Sequence, residues 1–236
     1  MKNALAILIA LTLISAAARG AAPADPHLNV VPPGQVMQRT VAYLTGDGMH
    51  SMWYVVTSRK LAGKNMGKTP VYQWYLSFYA PDGDDGGKLV YQLPNSSHEL
   101  LSQVTKARGA EMYFPMQDVK IVGAAEFEQP GVQDVVVWDR QAAADCGIAD
   151  VTVFGANTKG QVEQRVHVEN GCDLVAKIVK KGALSAVQLT GPYYGANAPL
   201  CCPTKPHATA TLAYKSGDWK VTPNYFIISA SLAAHR

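Results

Sequence analysis

Roughly ten or more short segments of this 236-residue chain alternate apolar with polar residues, are rich in Val, Thr, Tyr and Trp, and are cut apart by turn clusters. Alternation with period two puts successive side chains on opposite sides of an extended backbone, which is the pattern of half-buried strands. Gln38 to Leu44 and Ser51 to Ser58 flank Thr45-Gly46-Asp47-Gly48, and Val71 to Tyr79 and Lys88 to Leu93 flank Pro81 to Gly87. Strand signals resume at Val119 to Val122, Asp134 to Asp139, Asp150 to Phe154, Val162 to Val168, Leu174 to Val179 and Ala186 to Leu189. They end with Ala208 to Tyr214 and Trp219 to Thr222. One helix is expected among them. Ser96 with Glu99 forms a capping box, Leu100, Leu101 and Val104 supply a short apolar stripe, and Gly109 stops it. The fold class this predicts is mainly β: an antiparallel meander, as sandwich, barrel or propeller-like blades, with one short α-helix. The domain spans 35–236, and a division into two sub-sheets, if there is one, falls near 95–112.

The N-terminus sets the compartment. Lys2, the apolar run Ala4 to Ile14 and the small residues Ser15 to Ala22 make a cleavable secretory signal over residues 1–22. The run is too short to cross a bilayer, so no transmembrane anchor is expected after cleavage. Residues 23–34 carry Pro23, Pro26, Pro32 and Pro33 and read as a proline-rich tether. The net charge of +3 falls by the two charges of Lys2 and Arg19 to +1 in the mature chain. Nucleic acid is an unsuitable partner for a chain so nearly neutral, whose basic runs are as short as Lys177 to Lys181. The expected location is the periplasm or the secreted fraction.

An exported chain with four cysteines is expected to be oxidised. Asn157-Thr158-Lys159-Gly160 has the residues of a three-residue hairpin loop with a left-handed glycine. Counting outward from Asn157 opposite Gln161 places Cys146 opposite Cys172. One connectivity then joins Cys146 to Cys172 and leaves Cys201 and Cys202 to form a strained vicinal ring or to stay reduced; two others join the hairpin base to the Cys201-Cys202 loop. A bond of the latter kind contributes about 3 to 4 kcal/mol in the chain-entropy model. Thiol exchange or soft-metal binding by Cys201, Cys202 and His207 is less favoured, because adjacent side chains diverge in extended chain and no Cys-x-x-Cys pair is present.

Other chemistry is thinly signalled. Asp82, Asp84 and Asp85 begin like a calcium loop, but Leu93 stands where the closing Glu belongs, and Met49 and His50 follow Asp47 where ligands would be wanted. There is no Gly-x-Ser-x-Gly elbow and no His-Glu-x-x-His. His50, His98, His167 and His207 are scattered. Glu126, Glu128, Asp134 and Asp139 surround a strand pair and are the candidate carboxylates for glycoside cleavage. In Val71 to Tyr79, alternation sends Tyr72, Trp74, Leu76 and Phe78 to the core and Gln73, Tyr75, Ser77 and Tyr79 to the other face. Trp53, Trp74, Tyr75 and Tyr79 mark the region of a stacking platform for a sugar or a partner protein.

Gly191-Pro192-Tyr193-Tyr194 through Cys201-Cys202-Pro203-Thr204, followed by a strand and the Gly217-Asp218-Trp219 turn, resembles the Cys-Cys-Pro region of the LppP/LprE family of exported actinobacterial proteins. The likeness covers the C-terminal third, and the chain lacks that family's lipidation cysteine. The resemblance implies an envelope or secreted protein with a disulfide-braced sheet and carries over no catalytic residue. The leading expectation is a non-enzymatic binding or interaction module braced by Cys146, Cys172, Cys201 and Cys202, with no cofactor or metal and an envelope protein or glycan as partner. The alternatives are a carbohydrate-binding module and a carboxylate-dependent hydrolase.

Overall fold

The structure is a computed structural model that describes residues 32–45, 52–66, 69–82, 87–93, 103–107, 110–114, 116–141, 147–194 and 203–230. The described residues form fifteen strands. β1 (Gln35–Tyr43), β2 (Met52–Met66), β3 (Thr69–Pro81) and β4 (Gly87–Leu93) make the first sheet in chain order. β5 (Gln103–Ala107) and β6 (Ala110–Phe114) pair as a separate hairpin. β7 (Met116–Ala125), β8 (Asp134–Gln141), β9 (Ile148–Ala156) and β10 (Val162–Cys172) form the middle sheet, completed by the last strand, β15 (Ile227–Ala230), on β10. β11 (Val175–Lys181), β12 (Leu184–Tyr193), β13 (Lys205–Lys215) and β14 (Asp218–Thr222) form the third sheet. Each pairing is antiparallel and mostly joins neighbours in sequence, so the meander reading holds. The sheets stack face to face and do not close into a barrel.

Two cores separate the layers, and the middle sheet serves both. On β8, Val135 and Val137 enter the first core while Val136 enters the second. On β9, Phe154 and Ala156 face the first sheet while Val151 and Val153 face the third. That is why this part of the sequence reads as near-continuous apolar runs: both of its faces are dry. The first core holds Trp53 of β2 together with Trp74, Leu76 and Phe78 of β3, and Tyr72 packs against it, which is the inward face expected for β3. Phe78, Tyr91 and Phe154 form a three-ring cluster across the layers, with centroids 5.6 to 6.2 Å apart. Such pairs contribute about 0.5 to 1.5 kcal/mol each beyond the area they bury.

Bulges decide the rest. Val162 faces the first core, yet Val166 and Val168, at the same sequence parity, face the second. The register shift between Gln164 and Val166 inserts one extra residue and turns the strand over. A second shift between Val168 and Gly171 turns it back, so Cys172 lies opposite Ile148 and not Cys146. The sequence-based register is therefore corrected by two residues at the hairpin base. Near the turn it is right: the Asn157 N–H donates to Gln161 O and the Gly160 N–H to Asn157 O, both 2.9 Å, with Gly160 at φ +71°.

The helix expected between Ser96 and Gly109 is also corrected. Its described part, Gln103–Ala107, is a strand, and Val104 lies opposite Tyr113. β-Branched Val104 and Thr105 favour the extended chain once a partner strand follows two residues later. Ser96, Glu99, Leu100 and Leu101 lie outside the described residues.

Candidate functional site

A two-lobed cleft opens at one end of the first core, where the Asn157 turn, the loop before β8 and the ends of β1 and β3 meet. The main lobe has a volume of about 620 Å³ and is walled by Leu44, Trp53, Ala80, Pro81 and Val132 with the turn residues Thr158 and Lys159. The smaller lobe, about 240 Å³, is lined by Glu128, Gln129, Asp134, Thr158 and Arg165. The turn that forms the rim is rigid for a local reason. Asn157 Oδ1 accepts from the backbone N–H groups of Lys159 and Gln161, at 2.9 and 3.0 Å, and its Nδ2 donates to Gln161 Oε1 and Glu163 Oε1.

Arg165 organises the floor. It is the extra residue of the first β10 bulge, without a cross-strand partner, and bulges commonly re-aim a side chain in this way. Its Nη2 donates to Ala156 O at 2.9 Å and its Nη1 to Glu163 Oε2 at 3.2 Å. Its Nε lies 3.8 Å from Asp134 Oδ1 and 4.0 Å from Glu128 Oε1. Glu128 Oε1 in turn accepts from Trp219 Nε1 at 3.1 Å, which ties the floor to the third sheet. Three carboxylates from three segments thus surround one guanidinium.

Glycine makes this crossing possible. A Cβ at Gly155 would lie 2.1 Å from Asp134 Oδ1 and 2.6 Å from Arg165 Nε, so the two charged groups occupy the space a side chain would fill. Asp134 is 2% exposed. Burial pushes its carboxyl up to about 7, the neighbouring charge of Glu128 adds to the rise, and Arg165 opposes it. The group therefore changes charge near neutral pH.

Of the four sequence-nominated carboxylates, the structure brings Glu128 and Asp134 together. Asp139 sits five residues further along β8, on the order of 16 Å away by strand rise. There it lies opposite Asp150, and burial followed by the Asp150 charge raises its carboxyl well above the usual range. His167 sits beside Asp150, with Nε2 3.7 Å from Asp150 Oδ2 and Nδ1 2.8 Å from Thr152 Oγ1. Glu126 is half-buried, and its backbone carbonyl accepts from Ser185 N–H at 2.7 Å, joining the second and third sheets.

The aromatic candidates do not share an open face. Trp53 and Trp74 belong to the first core, Tyr79 is buried on the far side of the same sheet, and Tyr75 is half-buried. Of these, Trp53 lines the cleft. Asp82 and His207 are exposed. Asp47, Asp84, Asp85, His50, His98, Cys146, Cys201 and Cys202 lie outside the described residues, among which no group of three or more His, Cys, Asp or Glu could hold a metal ion. No helix among the described residues is long and apolar enough to cross a membrane. Sequence reasoning missed Arg165 and Glu163, because nothing in Gln164-Arg165-Val166 announces a bulge.

No family model matches the chain, and the comparison with curated proteins finds no match. The class the geometry defines is a stack of three antiparallel sheets with an end cleft over an Arg-centred polar floor.

Proposed function

We propose that the protein is an exported, disulfide-braced, non-enzymatic binding or interaction module of the cell envelope or secreted fraction, and that its ligand enters the end cleft. The observation that carries this reading is the cleft itself. Its larger lobe falls within the 300 to 1,000 Å³ typical of ligand sites, and a few polar groups converge beneath apolar walls. The floor is built for rigidity: Arg165 is bonded to Glu163 and Ala156, and Asn157 spends its amide on the turn. An acid or base has to exchange its proton with a substrate, whereas Asp134 is buried against Arg165.

The disulfide bracing draws support from the even number of cysteines in a chain read as exported and from the burial of Cys172. Export rests on the leader, and the envelope setting on the resemblance to LppP/LprE proteins at Cys201-Cys202-Pro203.

Two-dimensional NMR of the mature, oxidised protein with soluble envelope extract tests the reading. The expected outcome is a shift of the Trp53 indole and Thr158 signals that disappears in Thr158→Trp, which blocks the rim from an exposed position. Shifts confined to other surfaces would sink it. One observation favours the hydrolase reading: Asp134, held up to about 7, lies beside Glu128 in the same lobe. Steady turnover of an added polysaccharide, lost in Glu128→Gln, would select that reading over the module.

A further inference from the structure

We infer that the cleft takes a neutral saccharide, its hydroxyls read in the small lobe and the C–H face of a sugar ring laid along the apolar wall beside Trp53. This deepens the binding-module reading and rests on it. The first support is the mixture of surfaces. Ala80, Pro81 and Val132 give the cleft an aliphatic wall that Leu44 backs from the core, and Gln129 and Thr158 line the same space. Gln129 and Thr158 are exposed and make no hydrogen bond among the described residues. An amide offers two donors and an acceptor, and a hydroxyl offers both roles, which matches the dual character of sugar hydroxyls. A pyranose has the same two-sided character, hydroxyls at its rim and C–H groups on its face.

The second support is charge. The floor already pairs Arg165 with Glu163 and faces it with Glu128 and Asp134. An anionic ligand would meet Glu128, and a cationic one would meet Arg165 in the floor and Lys159 at the rim. Either would have to separate charges that are partly desolvated, which is costly. An uncharged, hydroxyl-rich ligand meets neither penalty. The third support is shape. The rim is a tight turn in which the N–H groups of Lys159, Gly160 and Gln161 are committed to Asn157, so the turn offers no strand-like row of free donors for an extended peptide to pair with. Because Trp53 is buried and presents only part of its surface, binding depends on hydrogen bonds more than on stacking.

The test is isothermal titration and NMR of the mature, oxidised protein against soluble gluco-, manno-, galacto- and N-acetylglucosamine oligosaccharides, with polygalacturonate and an oligolysine peptide as charged probes. The expected result is that at least one neutral series shifts the Trp53 and Thr158 signals, binds about tenfold more weakly in Gln129→Ala, and does not bind Thr158→Trp. Circular dichroism of both variants verifies the fold. Neutral oligosaccharide binding that is unchanged in both variants overturns the inference, because the site is then elsewhere. Binding of polygalacturonate or oligolysine alone also overturns it. If no saccharide binds while envelope extract still shifts Trp53, the ligand class is wrong and the module stands. If neither does so, both readings fall.

Discussion

Replacing Asp134 by Asn gives the sharpest test of the site's electrostatics, because Asn keeps the shape of a protonated carboxyl and cannot ionise. The carboxyl titrates at 3.8 in an exposed reference and at about 7 in the fold. Between those values the folded protein holds a proton that the unfolded chain has released. Folding therefore takes up a proton, and raising the pH weakens the fold. The favourable balance is complete below 3.8, fades through the interval and is gone above 7. At about 1.4 kcal/mol per pH unit, the interval amounts to about 4 kcal/mol. Asp139 is also raised, but it is present in both proteins and cancels from the comparison. Asp134→Asn is therefore expected to match the parent near pH 4 and to exceed it by about 4 kcal/mol at pH 8. Urea unfolding followed by tryptophan fluorescence at pH 4, 5.5, 7 and 8 reads this directly. Parallel stability curves for the two proteins across that range would refute the buried, Arg165-facing carboxyl described above.

Three further outcomes are expected. Gly155→Ala forces a methyl into the space held by Asp134 and Arg165, and its urea midpoint should fall by the equivalent of about 1 to 3 kcal/mol. Leu189→Ala, at a fully buried position of the second core, should cost about 3 kcal/mol in the same assay. Reduction should lower stability by about 3 kcal/mol, with mass spectrometry after alkylation counting the thiols released; four freely alkylated thiols before reduction would contradict the bracing proposal.

The strands were legible because a half-buried strand writes period two into its residues, as Tyr72-Gln73-Trp74-Tyr75-Leu76 does. The Asn157 turn was legible because its chemistry is local. What the sequence concealed is what depends on insertion. Arg165 looks like any polar residue of an alternating strand, and only the bulge beneath it turns it toward Asp134 and Glu128. The same kind of insertion moved Cys172 out of line with Cys146. Ser96 and Glu99 signalled a helix by a local cap, but Val104 found a neighbour in Tyr113, and pairing outweighs a cap of about 1 kcal/mol. The aromatic platform failed for a different reason. Alternation says which residues share a face, but not whether another layer covers it, and Trp53 and Trp74 are covered.

The middle layer, apolar on both sides, has a consequence for anyone who shortens the chain. A fragment ending after β4 would carry Trp74, Leu76 and Phe78 with nothing to lie against, and one beginning at β11 would leave Leu189 and Leu212 equally bare. Removing either outer layer strips one side of β8 and β9, whose valines would then meet water in a row. Truncations at the seams between layers should therefore yield insoluble material.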